Sequence, residues 1–171
     1  MIRKSFLTLS FLLLIFAFKL NASGKSDAKL ALVGTSSFSV LFWDIYDISL
    51  YSRDGKYIAG QLPVTLEITY KRKIDSVELV EETENQWQRY KIDNQKKRRW
   101  LKALSLIWPD VDEKDIITFH INENKQTSFY FNQGFIGKID DEEFAIAFSN
   151  IWLDVKGPYP KMTKRLIGKN K

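Results

Sequence analysis

The chain has 171 residues, 44% hydrophobic and 14% aromatic, with no cysteine, one histidine and a formal net charge of +5. The lack of cysteine excludes disulfides, cysteine catalysis and thiolate metal sites, and a lone His120 excludes a multi-histidine metal centre. Part of the positive charge sits in residues 1–22, as Arg3, Lys4 and Lys19 with no acid; the remaining 23 basic and 21 acidic residues give +2, poor support for a nucleic-acid partner.

Arg3 and Lys4 precede an apolar run from Phe6 to Phe18, and Ala22 and Ser23 offer the small residues of a cleavage site. Charged start, short apolar core and small-residue end read as a signal peptide over residues 1–22, cleaved after Ala22, with Ser23 as the second choice. The run is shorter than the roughly 20 apolar residues of a membrane span. An uncleaved anchor is the alternative. About 149 residues remain, 23–171, enough for one domain with a substantial core.

Ser23 to Lys29 reads as a polar lead-in, and strand patterns begin at Leu30. Phe38, Val40 and Phe42 fall on one face, as do Ile48 and Leu50. After the Asp54-Gly55 turn signal comes the cleanest strand. Leu62, Val64, Leu66, Ile68 and Tyr70 alternate with Pro63, Thr65, Glu67, Thr69 and Lys71, as in an antiparallel sheet with one buried face. Asp75 and Glu78 predict a capping box for a helix with Val77, Val80 and Trp87 on its apolar side. A second helix is predicted from Asp93 or Asn94, with Trp100, Ala103, Leu104, Ile107 and Trp108 inward and Pro109 as its stop.

Strand signals return over Ile116 to Ile121, then in Phe129 to Phe131, and again after a turn at Asn132, Gln133 and Gly134. Asp140 or Asp141 caps a helix with acidic Glu142 and Glu143 in its first turn and Phe144, Ala147, Phe148, Ile151 and Trp152 on one face. A short basic tail from Lys161 to Lys171 has room for one helical turn. Strands, two helices, strands and a helix argue for an α+β domain, an antiparallel sheet with helices on one face.

Four blocks in this order are similar to the chalcone isomerase-like domain of exported bacterial proteins. They are FSVLFWDIYDISLYS (Phe38 to Ser52), LEITYKRKI (Leu66 to Ile74), the helix ending in IWPDV (Ile107 to Val111), and FYFNQGFIGKIDDEEFAIAFSNIWLD (Phe129 to Asp154). The resemblance implies a strongly curved antiparallel β-sheet, helices packed against it, and a cleft between them that holds a chalcone or a fatty acid in plant relatives. It also implies a periplasmic location. In the chalcone isomerases an arginine on an early strand, about a dozen residues before a threonine on the next, steadies the anionic nucleophile; in the fatty-acid binders it pairs with the carboxylate. This chain has no arginine between Leu30 and Ser52, and Leu32 or Val33 takes the place. The family's proline and Thr-Ser turn after IWLD is replaced by Val155, Lys156, Gly157 and Pro158.

Among candidate site residues, Tyr70 and Arg72 share a strand face if the strand runs that far, and together could grip a carboxylate or enolate. A strand-end arginine in solvent is the structural alternative. Tyr46, Trp43, Tyr51 and Tyr130 could line an aromatic pocket or simply build core. Asp44 and Asp47 fall on opposite faces of a flat strand, so they form no acid/base pair and are expected to bind backbone groups or tyrosine hydroxyls at a bend. His120 takes the polar side of its strand. Lys96, Lys97, Arg98, Arg99 and Lys102 begin an amphipathic helix as a solvated face or as a contact with an anionic membrane.

The reading is an exported binding protein whose cleft holds a small apolar or amphipathic ligand such as a fatty acid. Tyr70 and Arg72 would orient the polar end, and Tyr46 and Trp43 would pack the apolar part. No metal, cofactor or nucleic acid is expected. An isomerase or intramolecular lyase acting through Arg72 and tyrosine hydroxyls is the second reading, and an envelope structural or interaction protein without a ligand is the third.

Overall fold

Residues 30–169 are described by the computed structural model; the predicted signal peptide and the lead-in after it lie outside the described residues. Where the sequence alternates with a period of two, the chain forms β1 (Ala31–Val40), β2 (Trp43–Ser52) and β3 (Val64–Tyr70). α1 (Ser76–Trp87) and α2 (Asn94–Ile107) come next, then β4 (Ile116–Ile121), β5 (Thr127–Phe131) and β6 (Gly134–Ile139). α3 (Glu142–Leu153) and α4 (Pro160–Leu166) complete the order. Each strand pairs antiparallel with its sequence neighbour, giving one open, curved six-stranded sheet in the order β1-β2-β3-β4-β5-β6. The two helices inserted between β3 and β4 do not disturb that order.

The helices cover one face of the sheet, and one cross-strand row shows how. Leu50, Leu66, Phe119 and Phe129 pair in succession across β2 to β5 and are all 0–1% exposed. The row ends in glycine on both edge strands, Gly34 on β1 and Gly137 on β6. A Cβ on Gly34 would lie 2.5 Å from the Arg165 carbonyl oxygen of α4, and one on Gly137 would lie 2.7 Å from Ile107 of α2. Missing side chains at the edges thus let two helices seat on the sheet. The opposite face carries the polar half of the alternation, including Thr65, His120 and Ser128.

Of the two residues open at each start, the structure selects Asp93 as the cap of α2 and Asp141 as that of α3. Asp93 accepts from the backbone N–H groups of Gln95 and Lys96 at 3.0 Å each, and Asp141 from those of Glu143 (3.0 Å) and Phe144 (3.2 Å). For α1 the structure departs from the predicted capping box. Asp75 occupies the N-cap position without a side-chain capping bond, and the Ser76 N–H donates to Asp110 Oδ1 at 2.8 Å. A short bridge between Ile74 and Val111 brings the loop after α2 beside the start of α1, a proximity with no local signal.

Two further expectations are corrected. Val77 is 64% exposed, because α1 turns Thr83 and Trp87 fully inward, with Leu79 and Val80 half-buried. Phe42 belongs to no strand face; it sits with Leu41 at the turn between β1 and β2 and is 99% exposed. The helical turn expected in the basic tail is present as α4, and it belongs to the core, burying Met162, Thr163 and Leu166, followed by Ile167.

Candidate functional site

Between the inner face of β2–β4 and helices α1 and α3 lies a cavity of about 440 Å³. Its depth is apolar: Ile68, Ile117, Phe119, Phe148 and Trp152 come from the alternating strands and the inward stripe of α3. Toward solvent its rim carries the exposed Arg72, Glu78, Glu81, Glu82 and Tyr159. The cavity exists because α1 faces the sheet there with a half-polar surface. Thr83, which returns its hydroxyl to the Leu79 carbonyl at 2.9 Å, occupies the inward position where a larger apolar residue would fill the space.

Two tyrosines supply the polar groups inside. Tyr46 on β2 stacks on Phe38 at 5.2 Å and meets Tyr70 edge-on at 6.3 Å. The Trp152 indole N–H donates to the Tyr46 hydroxyl at 3.0 Å, so that oxygen is an acceptor here and its own proton remains to be given to a cavity occupant. Tyr70, 6% exposed, ends β3. Burial pushes both phenols well above the ordinary tyrosine range, outweighing the lowering effect of the Trp152 bond on Tyr46, so both are neutral donors. Trp108, whose ring also lines the cavity, has its indole N–H without a partner among the described residues.

Tyr46, Tyr70 and Arg72 are therefore brought to one cavity, although β3 stops at Tyr70 and Arg72 lies beyond the strand. Trp43 is not brought there: it opens β2 beside the hairpin turn, is 69% exposed and is not among the lining residues, although its cross-strand partner Val40 is. Tyr51 and Tyr130 likewise stay off the cavity. His120 lies on the far face, with its Nδ1 2.8 Å from the Thr65 hydroxyl. Residues 32 and 33, where the family's arginine would be, are absent from the cavity lining as well.

Asp44 and Asp47 correct the expectation of opposite faces. The register of β1 and β2 shifts between Phe38 and Ser39, leaving Ile45 as the extra residue, and this bulge turns both carboxylates to one side. Their partners are serines and a lysine, where backbone or tyrosine groups were expected. Ser37 donates to Asp47 and Ser39 to Asp44, both at 2.6 Å, and Lys71 Nζ lies 2.9 Å from Asp47 and 4.0 Å from Asp44. Partial desolvation opposes ionisation of Asp47, but the bonds from Ser37 and Lys71 prevail and hold its carboxyl below the usual range.

The basic start of α2 is largely engaged with neighbouring acids. Lys96 pairs with Glu143, Lys97 with Glu84 at 3.7 Å and Arg99 with Asp141 at 3.4 Å, while Arg98 is exposed. Phe38, Trp152 and Tyr159 are cavity residues that sequence reasoning missed as such. The first two carried ordinary core patterning, and Tyr159 sits in a loop with no periodic signal.

A family described as chalcone isomerase-like matches residues 18–168. An uncharacterized protein of Haemophilus influenzae (strain Rd) is 26% identical over 143 residues, covering 81% of this chain and 68% of that protein. The crystal structure of an Arabidopsis thaliana fatty-acid binding protein superposes with a TM-score of 0.64 at 10% identity, covering 83% of this chain and 88% of that one. At that identity the likeness is one of fold.

Proposed function

The chain belongs to the chalcone isomerase-like family, and from its cavity we propose that it is a non-catalytic binding protein for one small amphipathic molecule such as a fatty acid. The observation that carries this is the cavity itself: about 440 Å³, apolar in depth, with two buried neutral tyrosines. Its size is within the roughly 300–1,000 Å³ of small-molecule sites. The ligand's polar end is seated by the hydroxyls of Tyr46 and Tyr70 on the side where Arg72 stands, and its chain lies along Phe119, Phe148 and Trp152. The fold of the plant fatty-acid binding protein supports the same reading. The proposal takes residues 1–22 as a cleaved signal peptide and the periplasm as the working compartment, supported by the charged start, short apolar core and small residues at Ala22 and Ser23.

Native mass spectrometry of the protein purified from its own envelope tests all of this. The expected result is a polypeptide beginning at Ser23 with one small amphiphile retained. Tyr70→Phe, which removes one neutral hydrogen bond worth about 1 kcal/mol, weakens fatty-acid binding by about fivefold. An empty protein that also fails to bind an added fluorescent fatty acid overturns the proposal.

A further inference from the structure

The turn joining β1 and β2 places four apolar residues in succession where water should meet them. Val40 is 47% exposed, Leu41 87%, Phe42 99% and Trp43 69%. Leu41 has φ 55°, a left-handed value at the loop position that hairpins ordinarily give to glycine or asparagine. A bulky leucine followed by a phenylalanine therefore serves neither the turn nor the core. The tip also runs directly into the cavity wall, since Val40 lines the cavity together with Phe38, Ile45 and Tyr46.

We infer that the Val40–Trp43 tip inserts into the surface of a phospholipid bilayer, docking the cavity mouth at the source of its ligand. A second protein is the poorer occupant: a standard interface takes roughly 20 to 30 residues a side, and this tip presents four on a convex turn. A bilayer interface accepts such a projection, and Trp at its boundary is a favoured anchor. The charges beside the tip are mutually matched, Lys71 with Asp47 and Asp44, and Lys73 with Asp75 at 3.7 Å. On the cavity rim Glu78, Glu81 and Glu82 outnumber the one cation named there, Arg72. A zwitterionic surface thus suffices, and anionic lipid is not required. This deepens the binding proposal by naming where the ligand is collected, yet vesicle docking needs no loaded cavity.

Trp43 makes the test site-specific, because Trp87, Trp100, Trp108 and Trp152, the other four of the five tryptophans, are all buried. Vesicles of brominated phosphatidylcholine should quench the wild-type fluorescence. Trp43→Phe should lose that quenching but still sediment with the vesicles. The double variant Leu41→Asn, Phe42→Asp should lose sedimentation at least tenfold while its melting temperature stays level or rises. Binding should change less than about twofold between low and high salt, as expected for apolar insertion rather than surface electrostatics. No sedimentation of the wild type, or sedimentation that survives the double variant or vanishes with salt, overturns the inference. Binding of a soluble fluorescent fatty acid without vesicles reads the cavity separately. Docking without that binding retains the tip and removes the cavity reading; the reverse outcome removes the tip.

Discussion

Asp141 shows how much one side chain can join. Its carboxylate caps α3 through two backbone N–H groups and also accepts the Trp100 indole N–H of α2 at 2.9 Å. Partial desolvation works against the charge, but the bonds from Trp100, the helix backbone and Arg99 hold its carboxyl below the usual range. Asp141→Ala removes a cap, worth about 0.5–2 kcal/mol, and orphans a buried indole donor at about 1–3 kcal/mol. We expect a loss of about 1.5–5 kcal/mol, read from the urea midpoint. With the pKa lowered in the folded state, the charge stabilises the protein above the unfolded carboxyl value near 3.9 and ceases to as pH falls through the folded one. The melting-temperature gap between wild type and Asp141→Asn should therefore shrink on acidification below about pH 4. A gap that widens in acid would refute this assignment.

Among elements, α4 depends most on a residue it does not contain. Gly34 admits the helix because a Cβ there would meet two backbone carbonyl oxygens, of Arg165 at 2.5 Å and Leu166 at 2.7 Å. The corresponding Cβ on Gly137 meets the near carbons of the branched Ile107 side chain, 2.7 Å to Cγ1, so the last residue of α2 must give way there rather than a helix backbone. Gly34→Ala should cost about 1–3 kcal/mol in overpacking, and Gly137→Ala less, both measured by chemical denaturation. Equal costs would show that α4 yields as easily as a side chain. The tail's basic residues hid the burial of this helix in the sequence, since Met162, Leu166 and Ile167 are too few to stand out among lysines. By contrast α2 and α3 were legible, with Asp93 and Asp141 as caps and a full apolar stripe behind each.

At the scale of the molecule, the cavity is space the core leaves unfilled, so an occupant should stabilise the fold as a whole. A ligand at 100 times its Kd adds about 2.7 kcal/mol, or roughly 6–10 °C in a domain of this size. Ile151→Trp, which projects a larger ring from α3 into the cavity, should fold and lose that shift. A shift that persists in the variant would move the site elsewhere.

The sequence by itself determined the strands and the sheet's buried face and narrowed the caps of α2 and α3 to two adjacent residues each, because alternation, capping and turn chemistry act between residues near one another in the chain; the family came from the resemblance of four blocks. It also brought forward Tyr46, Tyr70 and Arg72, with Trp43, as candidate site residues. The tertiary structure alone decided that these three line one cavity while Trp43 stands outside it, that a bulge turns Asp44 and Asp47 to the same side, and that Asp110 caps α1. Each of these depends on register or on contacts between distant segments, which no local pattern encodes. The cavity is the clearest case: it is the difference between where two surfaces could meet and where packing lets them stop.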